Sequence, residues 1–446
     1  MPLSQLPDLL SAWLTDIVAA LDRRSAPRLL LLFIGALFAK GRRTVTSWFR
    51  AAGITTEFRP AYNALWAAGR HADALGYRLL CIALKPLMRH LAGDHLLFAI
   101  DDTPTARYGP KVQGAGIHHN PTPGPAGEKF VYGHIWVTLA WLVRHPAWDT
   151  LALPLRALLY VRVKDIGKLT KHYPWTFRTK LELAIELARW LHVWMSGLGK
   201  ELWLVVDGAY AKRPFLKPAT ALGLVVFSRL RKDAHLLSLP PSKRRRGRRG
   251  PLPTYGKERI DLAKRAAQER GWQQVACIQY GERVVKTIKT FEATWRPAGG
   301  RIRVVIVWED EGWLAYFCTE PAMPVTVILE AMADRGAIEQ LFKDVKEVWG
   351  AGRQQVRNVY ASIGAFTVNL VLYSVVEVWA WAREEEALVD RGRCPWDQEE
   401  RRPSHADKRK ALQREILREA IHAALAARPD GEEFQALAAR LLDMAA

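Results

Sequence analysis

Cysteine is scarce in this chain, and the scarcity excludes two classes of protein. The 446 residues include four cysteines, which lie far apart and form no Cys-x-x-Cys pair. Such spacing argues against a zinc ribbon and a disulfide framework, and it indicates a reducing compartment. Internal repeats at the periods of solenoid proteins are also missing. We therefore expect a cytoplasmic protein whose fold depends on its own hydrophobic cores.

Long apolar runs are scarce too. Leu29 to Ala39 is about half the length that a membrane span needs. Ile363 to Trp381 is longer, but it carries Asn369 and Glu377, so we predict a helix buried among others. We expect no signal peptide, because proline and polar residues interrupt Leu3 to Leu14. The sequence thus predicts no membrane association.

Positive charge is abundant. The chain has 65 Lys and Arg against 45 Asp and Glu, a net charge of +20. A balance of this kind points to a polyanionic partner, although proteins at membrane surfaces share it. Six of these charges form a loop between prolines that cannot pack a core, and we predict that they bind DNA phosphates: Lys243, Arg244, Arg245, Arg246, Arg248 and Arg249.

Residues 1–92 have helical periodicity and arginine-rich turns. A short helix between Thr44 and Gly53 carries Arg50 and follows Arg42 and Arg43. Short helices joined by tight turns, with arginines on one of them, are typical of a DNA-binding helix-turn-helix. An ordinary helical bundle with solvated arginines explains the pattern equally well.

Two short apolar runs that end in aspartate begin the next region. Leu96 to Ile100 runs into Asp101 and Asp102, and Glu201 to Val206 runs into Asp207. Runs of this length are typical of strands buried on both faces. Aspartate at the end of a strand is most often a turn residue. However, carboxylates at the rim of a core are costly to desolvate unless a cation compensates them.

The order of the predicted elements defines a fold class. Between and after the two Asp-ended strands, the patterns predict two strands, a helix and one more strand, and residues 93–230 therefore suit an RNase H-like domain. A β-rich insertion is expected at 231–324, the rest of the core with a helix from Val325 to Val348 at 325–385, and a helical tail at 386–446. We predict an α/β protein with an RNase H-like mixed sheet, preceded by a helical domain.

A third carboxylate, Glu339, lies on the helix that would pack across the two strands. Three carboxylates at one point repel each other unless divalent cations lie between them, and Mg²⁺ prefers such oxygen ligands. Two ions about 3.5–4 Å apart can activate a water or a 3′-hydroxyl and stabilise the leaving oxygen of a phosphodiester. Each residue alone has an ordinary explanation as a turn or a solvated charge. The joint arrangement favours a metal site.

The helix pattern resembles a known family. Arg335 precedes Glu339 by four residues and Lys346 follows it by seven, which is similar to the signature of bacterial insertion-sequence transposases of the DDE superfamily. Their signature also has a tyrosine seven residues before the glutamate, where this chain has Met332. The resemblance extends from about Leu96 to Gly352.

This resemblance implies a cut-and-paste DNA transposase. It would use two Mg²⁺ ions, which Mn²⁺ can replace, and would act as a homodimer on terminal inverted repeats and target DNA in the bacterial nucleoid. Asp101 or Asp102, Asp207 and Glu339 would hold the metal, and positive residues on the Glu339 helix would contact DNA: Arg335, Lys343 and Lys346. The alternatives are a structure-selective nuclease of the same fold and a remnant that only binds DNA.

Several choices stay open at this point. Aligning on Asp-Thr selects Asp102 and aligning on the preceding aliphatic residue selects Asp101, and we favour Asp102 slightly. Adjacent strand residues point to opposite faces, so only one of them should bind metal. Trp308 and Trp313 in the insertion are candidates for stacking on an extruded base, although core packing is the default for tryptophan.

Overall fold

A computed structural model describes residues 6–89, 93–120, 129–242, 250–389, 391, 397–398 and 401–426 of the chain. The predicted basic loop 243–249 lies outside these residues. The helices are α1 (Asp8–Val18), α2 (Ser25–Phe38), α3 (Val45–Ala51), α4 (Phe58–Arg70), α5 (Ala72–Leu87), α6 (Val163–Thr170), α7 (Lys180–Met195), α8 (Arg213–Ala221), α9 (Leu262–Ala267), α10 (Val325–Asp334), α11 (Gly336–Glu347), α12 (Val359–Ala380), α13 (Glu385–Leu388) and α14 (His405–Ala426).

The strands of the described residues form one mixed sheet. They are β1 (His95–Ala106), β2 (Gly116–His119), β3 (Phe130–His145), β4 (Asp149–Tyr160), β5 (Glu201–Val206), β6 (Val225–Leu230), β7 (Leu236–Leu237), β8 (Arg259–Ile260), β9 (Gln273–Gln279), β10 (Glu282–Trp295), β11 (Gly300–Glu309) and β12 (Gly312–Cys318).

The central strands have the order β4-β3-β1-β5-β6. β1 is parallel to β5 and β5 to β6, whereas β3 is antiparallel to both β1 and β4. This arrangement confirms the predicted RNase H-like fold class. Because β1 and β5 are adjacent and parallel, the aspartates that follow their apolar runs come to the same end of the sheet.

The β-rich insertion continues the sheet. β12 pairs with β6, and β11 and β10 follow it in order, so the insertion extends the central strands sideways. The predicted hairpin is confirmed: β11 and β12 join through the turn at residues 310–311, and Trp308 lies opposite Trp313. The domain boundaries that we assigned from the sequence stay predictions.

Two predicted elements differ from those observed. β1 continues beyond the aspartates through Pro104 to Ala106, so Asp101 and Asp102 lie within the strand. Its ladder with β5 ends at Ile100 and Val206, and a proline is tolerated where one side of a strand lacks a ladder partner. The helix predicted from Val325 to Val348 is divided into α10 and α11, and Arg335 lies at the break, just before Gly336.

The apolar helix α12 lies in the core. By length and composition it is the one helix among the described residues that is able to span a membrane, but 83% of its most apolar stretch is buried inside the protein. α4 packs closely against it, since a Cβ atom on Gly69 would overlap the carbonyl of Tyr360, and one on Gly364 would overlap the carbonyl of Leu65. The helices approach closely because both positions lack a side chain.

The last described helix, α14, connects distant parts of the chain. Arg409 donates hydrogen bonds to the carbonyls of Leu37 and Ala39 at the end of α2, at 2.6 and 3.0 Å, and Gln413 also donates to Leu37. Lys408 forms a buried ion pair with Glu377 of α12, Nζ to Oε2 2.6 Å. Burial would raise the pKa of Glu377, but Lys408 and His405 outweigh it and lower that pKa to about 2.

The α4–α12 contact generates a stability prediction. Gly364→Ala should lower the free energy of unfolding by at least about 2 kcal/mol, because the added methyl group overlaps the Leu65 carbonyl. Chemical denaturation measures the change. The matched control is Gly167→Ala in α6, where a Cβ meets nothing within 4 Å, and it should be neutral or stabilising by about 0.5–1 kcal/mol. Equal stability of the two variants would contradict the close packing.

Candidate active site

Three carboxylates from separate segments converge on the guanidinium of Arg335. Arg335 Nη1 lies 2.9 Å from Asp101 Oδ2, and Nη2 lies 3.2 Å from Glu339 Oε1 and 3.6 Å from Asp207 Oδ1. Asp101 is on β1, Asp207 follows β5 and Glu339 is on α11. The strand order and the break before Gly336 therefore bring residues far apart in sequence to one point.

Local structure fixes each carboxylate. Asp101 Oδ1 accepts a hydrogen bond from the backbone N–H of Asp102, at 2.8 Å. Asp207 caps a short 3-10 helix, Gly208–Tyr210, by accepting from the N–H of Ala209 at 3.1 Å. Glu339 lies in the first turn of α11, where the helix dipole favours negative charge, and its side chain is 66% exposed.

Asp101 is the most enclosed of the three carboxylates, with 18% of its side chain exposed. Burial raises its pKa to about 6, against the opposing effects of Arg335 and the Asp102 amide, and the charges of Asp102 and Asp207 raise it further. A carboxylate in such surroundings gains from a nearby cation, and here the cation is Arg335.

Asp102 lies on the opposite face of the sheet with other partners. Its Oδ2 pairs with Lys180 Nζ at 2.6 Å, and its Oδ1 accepts from the hydroxyl of Tyr210 at 2.8 Å. Burial and then the charge of Asp102 raise the pKa of Tyr210 well above its ordinary value, so this hydroxyl stays a donor. Asp102 therefore joins the start of α7 to the loop that carries Asp207.

The geometry favours Asp101, against our slight sequence-based preference for Asp102. Alternation along β1 places Asp101 on the face of Asp207 and Glu339, and the similarity of Asp102-Thr103 to a family motif does not report that phase. We therefore take Asp101, Asp207 and Glu339 as the candidate metal ligands and regard Asp102 as a back-face residue.

The donor set suits a hard divalent cation, whereas the present side-chain positions do not. Three carboxylates are the ligands that Mg²⁺ and Mn²⁺ prefer, and they already surround one positive group. Within the described part of the chain, no group of three or more His, Cys, Asp or Glu side chains lies close enough to hold a metal ion as placed. Metal binding there requires the Arg335 guanidinium to move away.

Positive residues continue along one face of α11. Lys343 and Lys346 follow Glu339 at spacings of four and seven, so they share the side of the helix on which Arg335 and Glu339 lie. Lys343 is exposed, whereas burial lowers the pKa of the half-buried Lys346. Both positions suit contacts to a phosphate backbone that passes the carboxylates.

The predicted arginines of the N-terminal helices have different surroundings. Arg42 and Arg50 are exposed and stay predicted DNA contacts. Arg43 is half-buried, and its Nε donates to the carbonyl of Val348 at the end of α11, at 3.3 Å. Burial, and after it the charge of Arg353, lowers the pKa of Arg43. We therefore withdraw Arg43 as a DNA contact, because it caps a helix end.

The tryptophans of the insertion lie against positive side chains. Trp308 is exposed and stands edge-on to Trp272 with centroids 5.6 Å apart, while Lys232 Nζ lies 4.9 Å from the ring centroid of Trp313. Trp308 can therefore contact a ligand, whereas Trp313 is partly covered. Of the two histidines that follow Ile117, His118 is buried and has a structural role.

A basic groove beside Asp207 was missed by the sequence analysis. An open cavity of about 490 Å³ is lined by Gly208, Arg229, Arg231 and Lys232, among others. Arg231 also pairs with Asp233, Nε to Oδ1 2.9 Å. The signal in the sequence was the run Arg-Leu-Arg-Lys at the end of β6, which a buried strand does not need.

Comparison with known families agrees with this geometry. The sequence model of a family described as DDE superfamily endonuclease matches residues 16–299, more than half of the chain. The match includes Asp101, Asp102 and Asp207 and ends before Glu339, so the place of Glu339 rests on its contact with Arg335. A search of curated proteins gave no match.

The two faces of β1 predict unequal effects on metal binding. Asp101→Asn should weaken Mn²⁺ binding by more than the roughly 10–100-fold typical of an outer-shell change, because it removes a ligand charge. Asp102→Asn should weaken it by less than about tenfold. Calorimetric titration at pH 8 measures both. Equal losses, or a larger loss in Asp102→Asn, would contradict the assignment of the faces.

Arg335 and the metal should compete for the same carboxylates. We expect Arg335→Gln to tighten Mn²⁺ binding without DNA by about tenfold, which corresponds to about 1.4 kcal/mol. The titration is done at pH 8, well above the pKa of Asp101, so that protons do not compete. The control is Arg353→Gln, an exposed arginine after α11. Unchanged affinity in Arg335→Gln would place the metal away from the guanidinium.

Proposed function

The chain belongs to the DDE superfamily of endonucleases, and from this premise we propose that it is a DNA transposase. It would cleave the ends of a mobile element at terminal inverted repeats and join them to target DNA, as a homodimer in the bacterial cytoplasm. The observation that supports the proposal most directly is the convergence of Asp101, Asp207 and Glu339 on Arg335.

The residues of the site would divide the work by charge. Asp101, Asp207 and Glu339 would hold two Mg²⁺ ions, or Mn²⁺ in their place. When bound, the ions would supply the positive charge that activates a water or a 3′-hydroxyl and stabilises the leaving oxygen. Arg335 would exchange its carboxylates for a DNA phosphate, and Lys343 and Lys346 would contact the same strand.

Positive surfaces around the site would position the duplex. The groove beside Asp207 offers Arg229, Arg231 and Lys232, and the N-terminal helices offer Arg42 and Arg50. Contacts of this kind fix the register of DNA and carry no sequence information by themselves. Recognition of a terminal repeat would therefore need base contacts in addition.

The same site also suits a nuclease that hydrolyses DNA without joining it, or a remnant that only binds DNA. In cleavage, water attacks a phosphodiester and releases a 3′-hydroxyl; in joining, that hydroxyl attacks a second phosphodiester. The three enclosed, charge-compensated carboxylates support catalysis over binding alone. Products that contain target DNA distinguish a transposase from a nuclease.

The assay uses the DNA that flanks the reading frame as a linear duplex, together with a target plasmid, in Mg²⁺ or EDTA. We expect nicking and plasmid-joined products in Mg²⁺ alone. Asp207→Asn and Glu339→Gln should each lose activity on the order of 10³-fold or more while they still bind the duplex. Glu347→Gln, an exposed carboxylate on the same helix, is the control and should retain activity.

The outcomes separate the three readings. Cleavage without joined plasmid would favour the nuclease. Binding without any cleavage would favour the remnant. Cleavage by Asp207→Asn or Glu339→Gln at a wild-type rate would show that the chemistry lies elsewhere.

A further inference from the structure

Three aromatic side chains are exposed in a row along α4. Phe58, Tyr62 and Trp66 are spaced four residues apart, and 46%, 37% and 40% of each residue is exposed. Such spacing places all three on one face of the helix, while the opposite face packs on α12. Phe49 supports the start of the row, with its ring centroid 5.9 Å from that of Phe58 and 4.9 Å from that of Tyr62.

The row continues onto a cluster around Tyr360. Arg70, one turn beyond Trp66, places its guanidinium 5.6 Å from the ring centroid of Trp66 and 4.9 Å from that of Tyr360. The ring of Tyr360 is also 5.0 Å from that of Tyr173 and 6.1 Å from that of Trp175. We name the surface formed by Phe58, Tyr62, Trp66, Arg70, Tyr173, Trp175 and Tyr360 the aromatic platform.

The aromatic platform is a fixed surface. Asn358, which caps α12, donates from Nδ2 to the hydroxyl of Tyr173 at 2.6 Å and so holds the loop after α6 against the start of α12. The guanidinium of Arg70 lies against the rings of two different helices. Rings held in this way can accept a ligand without a large loss of side-chain entropy.

The charge around the aromatic platform has one sign. The three segments that build it, 58–71, 166–181 and 348–376, contain no aspartate or glutamate. They contribute exposed lysines and arginines: Arg59, Arg70, Lys168, Lys171, Arg353 and Arg357. The carboxylates next to them in sequence are paired, Asp165 with Arg162 at 2.6 Å and Asp73 with Arg156 at 3.1 Å. Such a surface suits a polyanion.

Backbone contacts connect the aromatic platform to the strand that carries Asp101. Arg107, just after β1, donates to the carbonyl of Val356 at 2.6 Å and to Ser362 Oγ at 3.0 Å, at the start of α12. Six residues of extended chain separate Arg107 from Asp101, a span of about 20 Å. One DNA molecule can therefore reach both places.

We propose that the aromatic platform binds single-stranded DNA, with bases stacked on the rings of α4 and phosphates on the surrounding arginines and lysines. Stacking on aromatic rings beside a positive surface is the usual mode for unpaired strands, whereas an intact duplex keeps its base faces covered. The proposal rests on the proposed function and extends it: an end opened by the carboxylate site leaves its unpaired strand here.

The test measures binding of a 20-nucleotide oligo(dT), and of a matched duplex, by fluorescence anisotropy in EDTA. Trp66→Ala should weaken binding of the single strand by about tenfold and leave the duplex almost unchanged, since only unpaired bases stack. The double variant Arg59→Gln, Arg70→Gln should lower the slope of log affinity against log salt. The control is Trp194→Ala, an exposed indole on α7 outside the aromatic platform.

Two companion measurements keep the outcome definite. Trp66→Phe should restore most of the binding, which would not follow if alanine merely loosened α4. Wild-type affinity of Trp66→Ala for oligo(dT), equal losses for both DNA forms, or a change of sedimentation that marks a protein interface would each overturn the proposal. Because binding is measured in EDTA, failure of DNA cleavage in the wild type would count against the proposed function and not against the aromatic platform.

Discussion

Like charges on neighbouring strands need a cation between them. Two carboxylates about 4 Å apart interact by several kcal/mol at the effective dielectric of a protein surface, so Asp101 and Asp207 cannot lie together without compensation. Arg335 supplies it, and it does so from the break between α10 and α11. The position of α11, and with it Glu339, thus follows from the charge at the end of β1 and β5.

The sequence was sufficient where local pattern decides the structure. The apolar runs before Asp101 and Asp207, the hairpin after Glu309 and the spacing of Arg335 and Glu339 all depend on nearby residues, and they predicted the fold and the residues that meet. The choice between Asp101 and Asp102 depends on the phase of β1 against a helix more than 200 residues away, and Arg43 finds its carbonyl partner 305 residues later. Pairing at such distances leaves no periodic signal.

Asp101 and Asp102 show how one residue type takes two roles through its surroundings. The front carboxylate is held beside a guanidinium that can move, and its raised pKa reports the cost of burying charge. The back carboxylate is bound by a lysine and a tyrosine from two elements and links them. A strand that presents adjacent aspartates thereby separates a site open to exchange from its fixed support.

The contacts of α14 have a consequence for the order in which the protein is made. The carbonyls at the end of α2 and the carbonyl of Val348 after α11 accept hydrogen bonds from Arg409. Synthesis runs from the N-terminus, so these groups wait for partners that leave the ribosome almost last. The N-terminal helices and the Glu339 helix therefore reach their final arrangement only when the chain is nearly complete, and a shortened product would lack the finished site.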